Sequence, residues 1–386
     1  MSLFKKLFSK QKLSEPQRRI DTNKINPNSE NGYDIPPEII ELENEAIQGD
    51  TAAMSDLGVI YATGDGVPRD VDKARYYFEM AGKNGNYSAY FNLGLMYKNG
   101  NGVPADIKMA IYYFEQAAVN GVTRAMINLA DMYLDGVGVV ANVDKALSYY
   151  NEAVKLGDAS AMLDLGVLYA TGSKIPRNAE KARSYFEQAA EHGNSASYYN
   201  LGLMYKNGDG ISCNIDKAIY YFEKAADIGD SKAFCQLGLM YKNGDNVPVD
   251  LEKAFYYFKQ AADAGIALAM FHLGEYYRKG EVVQQNLPMA IEYYEEAAKR
   301  GEKAAMHNLG IIYKRGIGTQ VDMKKALYHL ENGAESGMEF SMLELSMMYF
   351  EGDCVRRDKK KARYYAEMAA KRGNRQAFDI LRKMDS

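Results

Sequence analysis

An all-α solenoid of nine 36-residue helix–turn–helix repeats, closed by a half-repeat at each end, follows from three observations on this 386-residue chain. Leu recurs every 36 residues without an insertion, at Leu57, Leu93, Leu129, Leu165, Leu201, Leu237, Leu273, Leu309 and Leu345. Tyr61 to Tyr349, Gly64 to Gly352, Ala74 to Ala362 and Gly85 to Gly373 keep the same register. Within one period the apolar positions fall at helical spacing. A fixed period of this length marks units that bury their apolar faces only against neighbouring units, so function belongs on an extended surface.

The first helix of a repeat is carried by Ala53, Met54, Leu57, Ile60 and Tyr61, whose i, i+1, i+4, i+7, i+8 spacing makes one buried stripe. Gly64 supplies its left-handed stop. Pro68, Pro104, Pro176 and Pro248 lie in the loops that follow. Each period then offers Asp or Asn at one position, Asp70, Asp106, Asn142, Asn178, Asn214, Asp250, Asn286, Asp322 and Asp358, which reads as the N-cap of a second helix. That helix is predicted from about Val71 to Lys83, with Ala74, Tyr77, Phe78 and Ala81 inward and Gly85 closing it. Small residues at Ala53, Gly58 and Ala74 are expected to let helices approach to about 8–10 Å. Residues 37–49 read as a lone second helix and Ala377 to Met384 as a lone first helix, capping the stack. The segments Leu57–Gly85 and Leu165–Gly193 match at 17 of 29 positions, which suggests block duplication.

Residues 37–386 therefore form the solenoid, and residues 1–36 a flexible basic tail and linker with seven Lys/Arg against four Asp/Glu. The rest carries 40 Lys/Arg and 47 Asp/Glu, so no positive field directs it to nucleic acid. Cys213, Cys235 and Cys354 sit at unrelated repeat positions, which gives neither a disulfide framework nor a zinc spacing. With no apolar run near the roughly 20 residues that cross a bilayer and no leader-like start, a reducing cytoplasm is the expectation. In residues 1–12, Leu3, Phe4, Leu7 and Phe8 would share a helical face opposite Lys5, Lys6 and Lys10. That pattern suits either a basic tail or peripheral contact at the inner membrane face.

The run from Leu93 to Val103 (LGLMYKNGNGV), followed by Asp106, Ala110, Tyr113, Phe114, Ala117–Ala118 and Gly121, resembles the Sel-one-like repeat (SLR) family, a relative of the tetratricopeptide solenoids. The resemblance implies a right-handed α/α superhelix and a non-enzymatic adaptor or scaffold role. Departures are local: Ala130 and Ser346 replace the Gly after Leu, Met109 and Met289 replace the Lys before Ala, and Tyr328-His329-Leu330 stands at the aromatic trio. One branch of the family carries paired cysteines and has been described as secreted penicillin-binding proteins. An enzyme-like protein acting on cell-wall or β-lactam compounds is therefore one alternative, and a membrane-associated structural scaffold another.

The residue before each repeat Leu is almost always polar, and Asn92, Asn128, Asp164, Asn200, Gln236, His272 and Asn308 make a ladder on the expected concave face. Side-chain amides donate and accept at once, so the ladder could hold an extended peptide backbone; equally, it could bond within the scaffold. One position earlier, Phe91, Tyr199 and Phe271 belong to an apolar strip, a binding groove if exposed and core if not. Lys98, Lys206, Lys242, Arg278, Lys279, Lys314 and Arg315 end first helices, where cations favour the carbonyl terminus, and could also hold carboxylates. His272, Glu275 and His307 form the one grouping with metal-like residue types, and scattered surface polarity explains it as well. With no phosphate-binding loop after a strand and no Ser/His/Asp order, no catalytic residue, metal or cofactor is expected. The expected ligand is a protein or peptide.

Overall fold

The computed structural model describes residues 35–385, so the amphipathic segment 1–12 lies outside the described residues. They form twenty helices and no strand. The chain divides into two compact units, up to Asn194 and from Ser195 onward. In the first, α1 (Pro37–Ile47) is followed by α2 (Thr51–Thr63), α3 (Val71–Lys83), α4 (Ser88–Asn99), α5 (Ile107–Val119), α6 (Thr123–Asp135), α7 (Val143–Lys155), α8 (Ala159–Thr171) and α9 (Ala179–Glu191). The second contains α10 (Ser195–Asn207), α11 (Ile215–Asp227), α12 (Ser231–Asn243), α13 (Leu251–Asp263), α14 (Ala267–Lys279), α15 (Leu287–Lys299), α16 (Lys303–Arg315), α17 (Met323–Glu335), α18 (Glu339–Glu351), α19 (Lys359–Ala370) and α20 (Arg375–Asp385). Even-numbered helices are the first helices of repeats and odd-numbered ones the second. The half-repeats at both ends are α1 and α20.

All nine predicted Asp and Asn caps accept a backbone N–H in the first turn of their second helix, as at Asp70 for Lys73 (3.0 Å) and Asn178 for Lys181 (2.9 Å). The first helix stops where Gly64 turns left-handed at φ +79°, its N–H returning to the Ile60 carbonyl. Asp70 N then bonds Tyr61 O at 2.9 Å, which ties the loop back onto the helix it leaves.

The repeat Leu is at most 1% exposed in every copy, and the second-helix Ala series is equally buried. The Gly after Leu has a more specific purpose than close helix approach. A Cβ on Gly94 would stand 2.5 Å from the ring of Phe114, and one on Gly58 2.4 Å from Phe78. The glycine is the seat of the aromatic ring from the second helix of the same repeat. In the last repeat Ser346 replaces the glycine and Ala366 the ring, and Ser346 Oγ donates to Ala362 O at 2.9 Å. A second aromatic contact clips every hairpin: Tyr61 stacks on Tyr77 at 5.8 Å and 3°, and Tyr97 on Tyr113 at 5.7 Å and 12°. In the eighth repeat His329 takes that place against Tyr313. Seven of these stacks are covered by a Lys ammonium, as with Lys181 5.0 Å from the Tyr169 centroid.

Gly94→Ala should therefore cost about 1–3 kcal/mol by overpacking. If the ring is the cause, Phe114→Ala in the same molecule should cost clearly less than the sum of the two single changes. Urea unfolding of the four members of this cycle measures the coupling, and strict additivity would separate the glycine from the ring.

Candidate functional site

The face made by the first helices carries the predicted ladder, and the structure divides it. Asn92, Asn128 and His272 are buried, whereas Asp164, Asn200, Gln236 and Asn308 keep part of their surface in solvent. Among the proposed anchors, Phe91 is core, 5.8 Å from Phe114 and covered by the Arg124 guanidinium at 4.9 Å. Tyr199 and Phe271 are half-buried, packed on Phe222 at 5.7 Å and Tyr294 at 5.9 Å. Ile127, Cys235 and Leu343 of the same strip are also buried, so the strip is largely core, with windows at Leu163, Tyr199 and Phe271.

The lysines at the ends of first helices are the ladder's partners. Lys98 Nζ donates to Asn128 Oδ1 at 2.8 Å, Lys206 to Gln236 Oε1 at 3.4 Å, and Lys314 to Glu344 Oε1 at 2.9 Å. Lys242 lies 3.0 Å from His272 Nδ1. Each rung joins a lysine to the ladder residue 30 positions later, in the next repeat, and two rungs are tied further: Lys314 to Asp353 at 2.6 Å and Lys206 to Asp245 at 3.6 Å. An ammonium can only donate, so Nδ1 of His272 accepts and the imidazole is neutral. Burial, then the Lys242 charge, brings His272 down to about 4; burial, then the Lys279 charge, also lowers Lys242. Asn128 closes its rung by donating Nδ2 to the Arg124 carbonyl at 2.9 Å. Charge-assisted bonds of this kind contribute about 1.5–3 kcal/mol each where shielded from water.

Of two carboxylates on this face, sequence reading missed Asp131 and weighed Glu275 only as a metal-like neighbour of His272. Asp131 and Glu275 stand two residues after the repeat Leu, a position otherwise held by Val, Leu, Ile or Met. Each accepts a hydrogen bond from a tyrosine 19 residues on, Tyr150 and Tyr294 respectively. Those tyrosines occupy the position that is Phe in five repeats, so the paired change from aliphatic to acid and Phe to Tyr was a signal available in the sequence. Glu275 is fully engaged: Arg278 grips it at 3.1 and 2.8 Å, and Asn308 Nδ2 donates to it at 3.0 Å. Burial raises its pKa, but the Arg278 and Tyr294 hydrogen bonds outweigh that and leave it below the usual value. Glu275 and His272 are thus committed to Arg278 and Lys242, and His307 pairs with Ser341 Oγ at 3.3 Å. No group of three metal-ligating side chains occurs among the described residues. No helix there is long and apolar enough to cross a membrane.

Helical hairpins repeated at 36 residues, with rungs running from one to the next, define an all-helical repeat solenoid. The Sel1 repeat model matches nine consecutive stretches between residues 51 and 374, and the chain belongs to that family. It is similar to the crystal structure of a Sel1 repeat protein from Oxalobacter formigenes, at 28% identity and TM-score 0.67, covering 87% of this chain and 98% of that one. It is also similar to a protective antigen of uropathogenic Escherichia coli strains displaying an SLR fold, at 26% identity and TM-score 0.63, covering 88% and 80%. No curated protein matches the chain.

The His272 rung carries a pH dependence whose sign is fixed. A histidine with a folded pKa of about 4 against 6.5 when unfolded contributes stability that is complete above about 6.5 and lost as pH falls toward 4. Unfolding of the chain between pH 7 and 4 should show this loss, at about 1–3 kcal/mol for this residue. His272→Gln, which keeps an acceptor for Lys242, should flatten the slope over that window.

Proposed function

We propose that this chain is a non-enzymatic adaptor that binds a protein, through an extended segment, along the face of its first helices. One observation carries the reading: at one register of the first helices of the fifth, sixth and eighth repeats, Asn200, Gln236 and Asn308 are only partly buried, near the half-buried Tyr199 and Phe271. An extended chain presents backbone donors and acceptors along its length, and a row of amides suits it whatever its sequence. The windows add selectivity, because an aromatic already packed on one side loses little freedom when a ligand covers the other. Membership of the Sel1 repeat family supports a scaffold role in general terms.

The partner is obtained by pull-down with the intact chain and mass spectrometry, and calorimetry then compares two variants. Asn200→Ala with Gln236→Ala should weaken all bound segments by about 1–3 kcal/mol per lost partner. Tyr199→Ala with Phe271→Ala should also narrow the difference between preferred and unrelated segments. Parental affinity in both folded variants would move the binding surface to the interhelical loops after Gly64 to Gly352.

A further inference from the structure

The first and last described helices carry opposite charge. Residues 37–50, which contain α1 and the turn after it, hold five Asp/Glu and no Lys/Arg. Residues 359–386, from α19 onward, hold nine Lys/Arg and three Asp/Glu. In register α1 is a second helix and α20 a first helix, so each presents the face that a complete repeat covers with its own partner helix. A terminal unit needs polar residues of either sign to stay soluble. Opposite signs at matching positions are a further property.

Leu381 continues the Leu series 36 residues after Leu345, yet it is only half-buried where the other nine are sealed. Arg382 follows it at the position of the ring-seating Gly and is exposed. Asp379 lies 3.7 Å from Arg382 with both side chains largely in water, a pairing that holds the arginine weakly. Arg375, Phe378 and Arg382 fall at i, i+3 and i+7, an exposed stripe in which Phe378 keeps 47% of its surface. On α1, Leu42 takes the position of the ring, and Glu38 and Glu45 take those of Ala74 and Ala81, which are fully buried in their own repeat. Glu41 stands for Tyr77 and is exposed, so Glu38, Glu41 and Glu45 make an acidic stripe of the same spacing around Leu42. A ring cannot seat on Arg382, and close packing of alanines cannot form on Glu38 and Glu45. Neither face fits an ordinary helix of the repeat, and the two fit each other in sign and spacing.

We propose that copies of this chain associate head to tail, the basic stripe of α20 on one copy docking on the acidic stripe of α1 on the next. A lone first helix and a lone second helix then complete a repeat between two molecules. In the antiparallel sense of a hairpin, Arg382 falls at Leu42 between Glu38 and Glu45, and Arg375 lies toward Glu45. Phe378 gains apolar cover that it lacks within one chain. Like ends do not pair, because α20 against α20 opposes Lys/Arg and α1 against α1 opposes Asp/Glu. The contact joins different surfaces, so it either closes into a ring or extends from copy to copy. One helix on one helix is a small interface whose ion pairs reach solvent, so association is reversible and weakens with salt. The inference is independent of the proposed binding face, which association would present several times to one partner.

Sedimentation of the full chain, 43.2 kDa as a single copy, tests this across protein concentration in dilute and in concentrated salt. Mass should rise with concentration in dilute salt and return to that of one copy in concentrated salt. Arg375→Glu with Arg382→Glu should weaken association by about tenfold or more, and so should Glu41→Lys with Glu45→Lys. Mixing the two variants in equal amounts should restore association, since each then offers an end complementary to the other's. A merely structural effect of either pair of changes would not be cured by mixing. Should a variant lose helicity by circular dichroism, carbodiimide coupling of the parent mixed with isotope-labelled parent decides instead: amides from Lys371 or Lys383 to Glu41 or Glu45 should join labelled to unlabelled chains. A parent that stays single at all concentrations in dilute salt, folded variants that associate as the parent does, or a mixture that stays single would overturn the proposal. So would coupling of the α1 glutamates only to lysines of residues 1–34 of the same chain, which would make that segment the occupant of the α1 face.

Discussion

The ring of Phe114 lies where Gly94 has no Cβ, and the hairpin geometry of six of the nine repeats depends on such a vacancy, at Gly58, Gly94, Gly166, Gly202, Gly238 and Gly274. With the ring seated, the repeat Leu and the second-helix Ala are sealed from water and the two helices are held at one separation. The neighbouring Tyr61–Tyr77 type of stack fixes the rotation of one helix on the other, and the Lys ammonium above it closes the edge of the clip. One departure compensates in volume: in the last repeat Ser346 stands for the Gly and Ala366 for the ring. A single change at either partner leaves a clash or a void, while a matched pair leaves the hairpin intact.

Hairpins of fixed geometry bring position 98 to position 128 and position 242 to position 272, so a polar connection can repeat at every step of the stack. These rungs consume much of the ladder that the amides seemed to offer a ligand. Whether a ladder residue meets a cation of the preceding repeat is decided by the occupant of one position, five residues after the repeat Leu. Lysine there satisfies the next repeat internally; Leu134, Ala170 and Ala62 leave the following ladder residue to find other partners.

Glu275 and Asp131 show how far the surroundings control one carboxylate. Both are half or fully buried and both accept a tyrosine hydroxyl. The Arg278 and Tyr294 hydrogen bonds hold Glu275 below its usual range, whereas burial, with Asp135 beside it, keeps Asp131 above its own despite the Tyr150 hydroxyl and Lys98. Burial is common to the two, and the neighbours decide the outcome.

Periodicity by itself determined the helices, their caps, the Gly stops, the terminal half-repeats and the residues of the core, because each of these is settled within one period of 36 residues. The second helix expected from Val71 to Lys83 spans those residues, and Asp70 caps it. The family was legible for the same reason. Which ladder residues face solvent was decided only by the tertiary structure: Asn92 and Asn200 occupy identical sequence positions, yet one is buried and the other partly exposed. The rungs were equally hidden, since a contact 30 residues long depends on how one repeat docks on the next, and one-helix reasoning gave Lys98 a carbonyl terminus to stabilise or a carboxylate to hold, not the amide of Asn128. Asp131 with Tyr150 departs visibly from the repeat, but that Asp131 comes near Asp164, 33 residues on, was not legible. Long-range packing creates that juxtaposition, and the low dielectric around it makes it consequential.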